Sequence, residues 1–202
     1  MITLYGSAHG RPSRSLFALE ELGLSYRHVP LRPWADTADR DEVARLNPNA
    51  RVPILDDDGF VLWESMAINM YLAERAGGPL WPADLRSRGR VYQWSLWAQT
   101  EMDVPARDRA RTRGDPSAKA AAEAERLAVL GVLERALGGR PYLLGDDFSL
   151  ADLNLASTLS EPQENGLISG DFDPATHGLG ALADWLRRCQ DRAAWRRVRA
   201  LP

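Results

Sequence analysis

Every segment of this chain that reads as a β-strand lies within its first 63 residues, and the remainder reads as helix. The stretch GGPLWPAD, residues 77–84, separates the two, and its Gly and Pro content marks a boundary. Such a chain must close its sheet from local units. ITLY (2–5) is a short apolar run, SAHGRPS (7–13) a loop, RSLFALEELG (14–23) a helix that Gly23 stops, and YRHVPL (26–31) a second strand. Strand, helix and strand so close together form a βαβ unit and a parallel pair. RDEVARLN (40–47) is a short helix halted before Pro48. VPIL and FVLW then flank DDDG, whose Asp58-Gly59 is a hairpin signal. SMAINMYLAERAG places Ala67, Ile68, Tyr71 and Leu72 at helical spacing and ends at Gly77.

The fold class that follows is α/β plus all-α: a βαβ–ββα unit over residues 1–76, a linker at 77–84, and an all-helical domain over 85–202. In the second part, Val91, Trp94, Ala98 and Met102 share one face, and Pro105 is expected to bend or end that helix. Leu127, Leu130, Leu133 and Leu137 form the stripe of the next helix, stopped by Gly138-Gly139. In FSLADLNLAST, Ser149 and Asp152 have capping-box spacing, and Phe148 and Leu153 fall where a hydrophobic staple forms. LGALADWLRRCQDRAAWRRVRA reads as one terminal helix, with WRRVR as a solvated face.

Composition narrows the function. With 202 residues, 45% hydrophobic and 26% charged, the chain can bury a core of ordinary globular type. A formal charge of −3 offers no attraction to nucleic acid or an anionic membrane, and no apolar run reaches the ~20 residues that span a bilayer. The single cysteine, Cys189, excludes an internal disulfide, a CxxC redox pair and a thiolate metal cage; no metal is expected. Without a signal-type apolar core at the N-terminus, the expected compartment is the cytoplasm.

Four segments, LYGS…SRSLFALEELGLSYRHVPL, LNPNARVPIL, LWESMAINMYLAER and GDDFSLADLNLA, stand in the order and spacing of one family. The chain resembles a cytosolic glutathione S-transferase of the bacterial, serine- or theta-like type over essentially its whole length. The resemblance implies a thioredoxin-like N-terminal domain, a helical C-terminal domain, a homodimer, glutathione as co-substrate, and a role in detoxification. It implies a cis bond at Val52-Pro53, with Val52 pairing strand-like to the cysteinyl backbone of glutathione. Read as residues alone, a proline there marks a strand's first residue or an edge. The resemblance also gives Ser65 and nearby amides the γ-glutamyl carboxylate, Glu64 the α-ammonium, and Arg51 the glycine end. A helix start suits a carboxylate, while Ser65 also reads as a plain capping serine.

The reaction implied is attack of the glutathione thiolate on a small hydrophobic electrophile. A free thiol has a pKa near ~8.5, so a donor must stabilise the anion. Counting back from Arg14, the position where relatives often carry a serine for this purpose is Gly10. Ser7 and then Ser13 are the first candidates to replace it; Tyr5, His9 and the backbone N–H groups of Gly10 and Arg11 are the others. The electrophile pocket is expected between the domains, with His9, Trp94, Trp97 and Glu101 nearby; the tryptophans equally read as core or dimer interface. A glutathione-dependent reductase and a non-catalytic binding scaffold are the alternatives.

Overall fold

The computed structural model describes residues 1–103, 116–160 and 172–202. Contacts divide them into two units, Met1–Trp81 together with Arg192–Pro202, and Pro82–Asp191.

The first unit holds β1 (Ile2–Tyr5), α1 (Pro12–Glu21), β2 (Tyr26–Val29), α2 (Thr37–Leu46), β3 (Ile54–Asp57), β4 (Phe60–Trp63) and α3 (Ser65–Ala76). The sheet order is β2-β1-β3-β4, with β1 parallel to β2 and both other pairs antiparallel. This is the thioredoxin-like βαβ–ββα arrangement. Asp58 (φ 51°) and Gly59 (φ 94°) both take positive φ, as a two-residue hairpin turn requires. The α2 helix starts three residues earlier than its apolar pattern does, because the Asp36 carboxylate accepts from the N–H groups of Ala38 (2.7 Å) and Asp39 (3.4 Å). Pro12 sits in the first turn of α1, where its missing N–H costs nothing, and every residue from Pro12 to Leu19 is buried.

The second unit is helical. The Asp84 carboxylate accepts from Ser87 N–H (2.9 Å) at the start of α4 (Leu85–Trp97), which runs into a π-helical turn at Ala98–Asp103. Val91, Ala98 and Met102 are buried as their spacing requires; the bend expected at Pro105 lies outside the described residues. Next come α5 (Pro116–Leu137), α6 (Leu150–Leu159), a 3-10 turn at Pro174–His177 and α7 (Gly180–Gln190). All ten residues of α6 are buried, which fits a helix enclosed on every side. Its entry is fixed by Asp152, whose carboxylate accepts from Leu143 N (2.8 Å), Ser149 N (3.0 Å), Ser149 Oγ (2.7 Å) and Trp185 Nε1 (2.8 Å).

The C-terminus departs from expectation. The single terminal helix breaks at Arg192, whose backbone is extended (ψ 136°), and a separate α8 (Ala193–Arg199) follows. Residues 192–202 pack with the first unit, not with the helical domain over 85–202 that the sequence predicts. The reason is chemical. The Trp195 ring lies 5.2 Å from Phe17 of α1, Arg192 pairs with Glu21, and Arg197 Nε donates to Glu20 (2.5 Å). WRRVR is therefore a docked segment: Trp195 is 5% exposed and Val198 1%. Among the described residues, no helix is long and apolar enough to cross a membrane.

Candidate active site

Strand register brings part of the predicted set to one end of the sheet. Tyr5 pairs with Val29 and with Ile54, and Ile54 pairs with Trp63. The residues that follow β1, precede β3 and follow β4 therefore lie at one end of the sheet. They are Gly6-Ser7, Val52-Pro53 and Glu64-Ser65. Gly6 sets the spacing there, and it is a residue the sequence reading did not single out. At φ 123°, a Cβ on Gly6 would lie 2.6 Å from Pro12 Cγ and 2.9 Å from Val52 Cβ. The first loop, the start of α1 and the Val52-Pro53 segment approach so closely only because no side chain stands between them.

The two candidate serines differ in what their hydroxyls already do. Ser13 is fully buried, and its Oγ donates to Gly10 C=O at 2.7 Å, so its hydrogen is committed to the helix start. Ser7 is also buried, but its Oγ only accepts, from His9 N–H at 3.3 Å, and its O–H meets no acceptor among the described residues. Gly10 has φ 101°, a conformation that L side chains rarely adopt, so a serine at that position would be strained. Tyr5 packs in the core with Val43 and Ile54, with Val29, Leu31, Leu46 and Val52 around it. His9 is exposed.

The Val52-Pro53 bond is cis. Neither the N–H nor the C=O of half-buried Val52 is hydrogen-bonded among the described residues. A backbone edge of this kind is completed by water or by an extended peptide. The segment is held from behind by Asn47, a second residue the sequence reading passed over. Its Nδ2 donates to Arg51 C=O (2.8 Å), and its Oδ1 accepts from Asn49 N–H (2.9 Å). Arg51 itself is exposed.

Glu64 takes φ 75° and ψ 114°, outside the usual left-handed well, at a cost of about 1–3 kcal/mol. That conformation ends β4 and opens α3 in one step. It leaves Glu64 exposed, with no side-chain cap on the helix, and Ser65 2% exposed directly behind it. The first N–H groups of α3 and their partial positive charge thus face the sheet end without an internal acceptor from Glu64. In the second unit, Trp94 and Trp97 are half-buried and meet edge to face at 5.5 Å, while Glu101 is exposed on the π-helical turn. Among the described residues, no group of three His, Cys, Asp or Glu side chains is placed to hold a metal ion.

The four-stranded sheet, its open end and the helical unit that follows define a two-domain protein with a thioredoxin-like N-terminal part. Residues 1–74 match the family model of the glutathione S-transferase N-terminal domain, and residues 100–193 match that of the C-terminal domain. The chain belongs to the glutathione S-transferase family and is an enzyme of that family. Mouse glutathione S-transferase theta-1 is 34% identical, covering 94% of this chain and 82% of its own length. Escherichia coli (strain K12) glutathione S-transferase GstB is 30% identical over 100% of this chain and 99% of its own. The crystal structure of the theta class glutathione S-transferase from Xanthomonas axonopodis pv. citri, with glutathione bound, has a TM-score of 0.81. It is 28% identical, covering 100% of this chain and 98% of its own.

Proposed function

We propose that this chain holds glutathione at the open end of its sheet and activates the thiol for attack on a small hydrophobic electrophile. The observation that carries the reading is a set of polar groups gathered there without an internal partner among the described residues: the Ser7 O–H, the Val52 N–H and C=O, and the uncapped start of α3. Each matches one part of the tripeptide. Val52 pairs with the cysteinyl backbone, and the Ser65 hydroxyl with the first N–H groups of α3 takes the γ-glutamyl carboxylate. Glu64 meets the α-ammonium, Arg51 the glycine carboxylate, and Ser7 donates to the sulfur. A donor to the anion lowers the thiol pKa, each unit corresponding to about 1.4 kcal/mol. The thiol proton passes to water, the thiolate sulfur bonds to the electrophilic carbon, and the leaving group departs with the electron pair of the bond it breaks. The family resemblance adds a cytoplasmic homodimer acting in detoxification.

Calorimetric titration with glutathione tests the peptide site. Ser65→Ala is expected to weaken binding about tenfold, or about 1.4 kcal/mol. Absence of heat from the parent protein at millimolar glutathione would sink the reading.

A further inference from the structure

The bond that holds the first loop comes from outside it. Gly6 takes φ 123°, and its C=O takes no backbone donor among the described residues. The side chain of His28, on β2, closes this gap: its Nε2 lies 2.8 Å from Gly6 O. A carbonyl only accepts, so Nε2 carries the hydrogen. The Gly6 C=O and the Ser7 N–H belong to one rigid peptide plane. The Ser7 end of that plane donates to Leu31 C=O at 3.1 Å. The same plane is thus gripped at both ends from one stretch of chain, His28 at its oxygen and Leu31 at its N–H. Gly6 N–H, bonded to Val29 C=O (2.9 Å), fixes the residue before the turn.

We propose that His28 is a positioning residue for the reaction: it orients the Gly6-Ser7 peptide plane and thereby aims the Ser7 hydroxyl at the thiol sulfur. The inference rests on the reading that Ser7 is the donor to the thiolate. Glycine at position 6 makes the grip necessary, since its backbone has the widest rotational freedom of any residue. Leu31 alone would leave the plane hinged at one end. His28 touches neither glutathione nor the electrophile in this scheme, so its removal changes how well the thiolate is stabilised more than how tightly the tripeptide binds.

The test compares His28→Leu, His28→Gln and Ser7→Ala in the full chain with glutathione bound, reading thiolate ultraviolet absorbance against pH together with kcat and KM. Expected for His28→Leu is a rise of about one unit in the bound thiol pKa and an approximately tenfold fall in kcat near neutral pH, with the KM for glutathione within about twofold of the parent. His28→Gln, which keeps an N–H at similar reach, restores most of both. If Ser7→Ala raises the thiol pKa and His28→Leu does not, the inference falls while the Ser7 reading stands. If Ser7→Ala leaves the thiol pKa unchanged, the underlying reading fails and takes the inference with it. Equal losses in His28→Leu and His28→Gln also overturn it, because the donor then does not matter. Nitrogen-15 spectra of the parent settle the matter should the Leu variant not fold: a resonance showing the His28 Nε2 without hydrogen overturns the proposal.

Discussion

Asp152 and Ser7 are both buried polar side chains near the start of a helix, yet they are used in opposite ways. Around Asp152, four donors converge on one carboxylate and no valence is left over. Around Ser7, the hydroxyl hydrogen, the Val52 backbone edge and the first amides of α3 all lack an internal partner among the described residues. A completed network fixes a fold; an incomplete one, kept rigid from behind, is where a polar ligand gains most. Burial alone does not separate the two cases. The inventory of hydrogens and lone pairs does.

The largest expected effect breaks the completed side. Asp152→Ala strands the Leu143 and Trp185 N–H groups and one or both Ser149 donors in the core. At about 1–3 kcal/mol for each orphaned group, less than additive, the loss of unfolding free energy is about 3–5 kcal/mol, read by denaturant titration. Burial pushes the Asp152 carboxyl above its ordinary value, and the four donors pull against that rise. Asp152→Asn keeps the shape and removes the charge, so it is expected to cost less than Asp152→Ala. If both variants unfold at the parent's midpoint, the network is not what secures α6.

The open side is tested by the two serines. Ser7→Ala removes the hydrogen with no internal acceptor. It is expected to lower kcat about 10- to 100-fold, the worth of about 1.5–3 kcal/mol for a bond to a charged group. Ser13→Ala removes a hydrogen already committed to Gly10, so the bound thiol pKa should stay near the parent value. Reversal of that order would show that occupancy does not identify the ligand-facing group. Asn47→Ala acts one step further back, at the support of the Val52 segment. It is expected to weaken glutathione binding several-fold by calorimetry and to cost about 1–2 kcal/mol of stability.

The elements were legible in the sequence where local chemistry decides them. Gly23 and Gly77 end their helices, Asp58-Gly59 makes the hairpin, and Ser149 with Asp152 opens α6. Val52-Pro53 and Glu64-Ser65 stood out only through the family resemblance, since as residues alone they read as a strand start and a capping serine; strand register is what brings the two pairs to one end of the sheet. The choice between Ser7 and Ser13 was not legible, since both stand in the same loop and helix start. The 2.7 Å bond that Ser13 donates to Gly10 and the Ser7 hydroxyl that only accepts, from His9, distinguish them. Gly6, Asn47 and His28 left no trace for a related reason. Asn47 and His28 act on backbone carbonyls, and a carbonyl has no residue type to read; Gly6 acts through the side chain it lacks. The break at Arg192 was hidden because its causes are remote: the pairs Arg192–Glu21 and Arg197–Glu20 span 171 and 177 residues.

That docked terminus supplies the smallest effect and a sign that can be checked. Glu20 and Glu21 stand at the C-terminal end of α1, where negative charge opposes the helix dipole, and the arginines of the tail offset it. Burial pushes the Glu20 carboxyl up, but hydrogen bonds from Arg197 and Tyr26 and the Arg197 charge outweigh this and hold it below the ordinary glutamate value. A depressed carboxylate contributes stability above its unfolded pKa and loses it as pH falls through the folded one. Arg197 is 55% exposed and Glu20 23%, so solvent screens the pair, and Arg197→Ala is expected to cost no more than about 1 kcal/mol near pH 7. The gap between parent and variant in thermal midpoint should close as pH drops through the range below about 4. A gap that persists in acid would mean that the tail is held by Trp195 on Phe17 and that Arg197 contributes only its aliphatic stem.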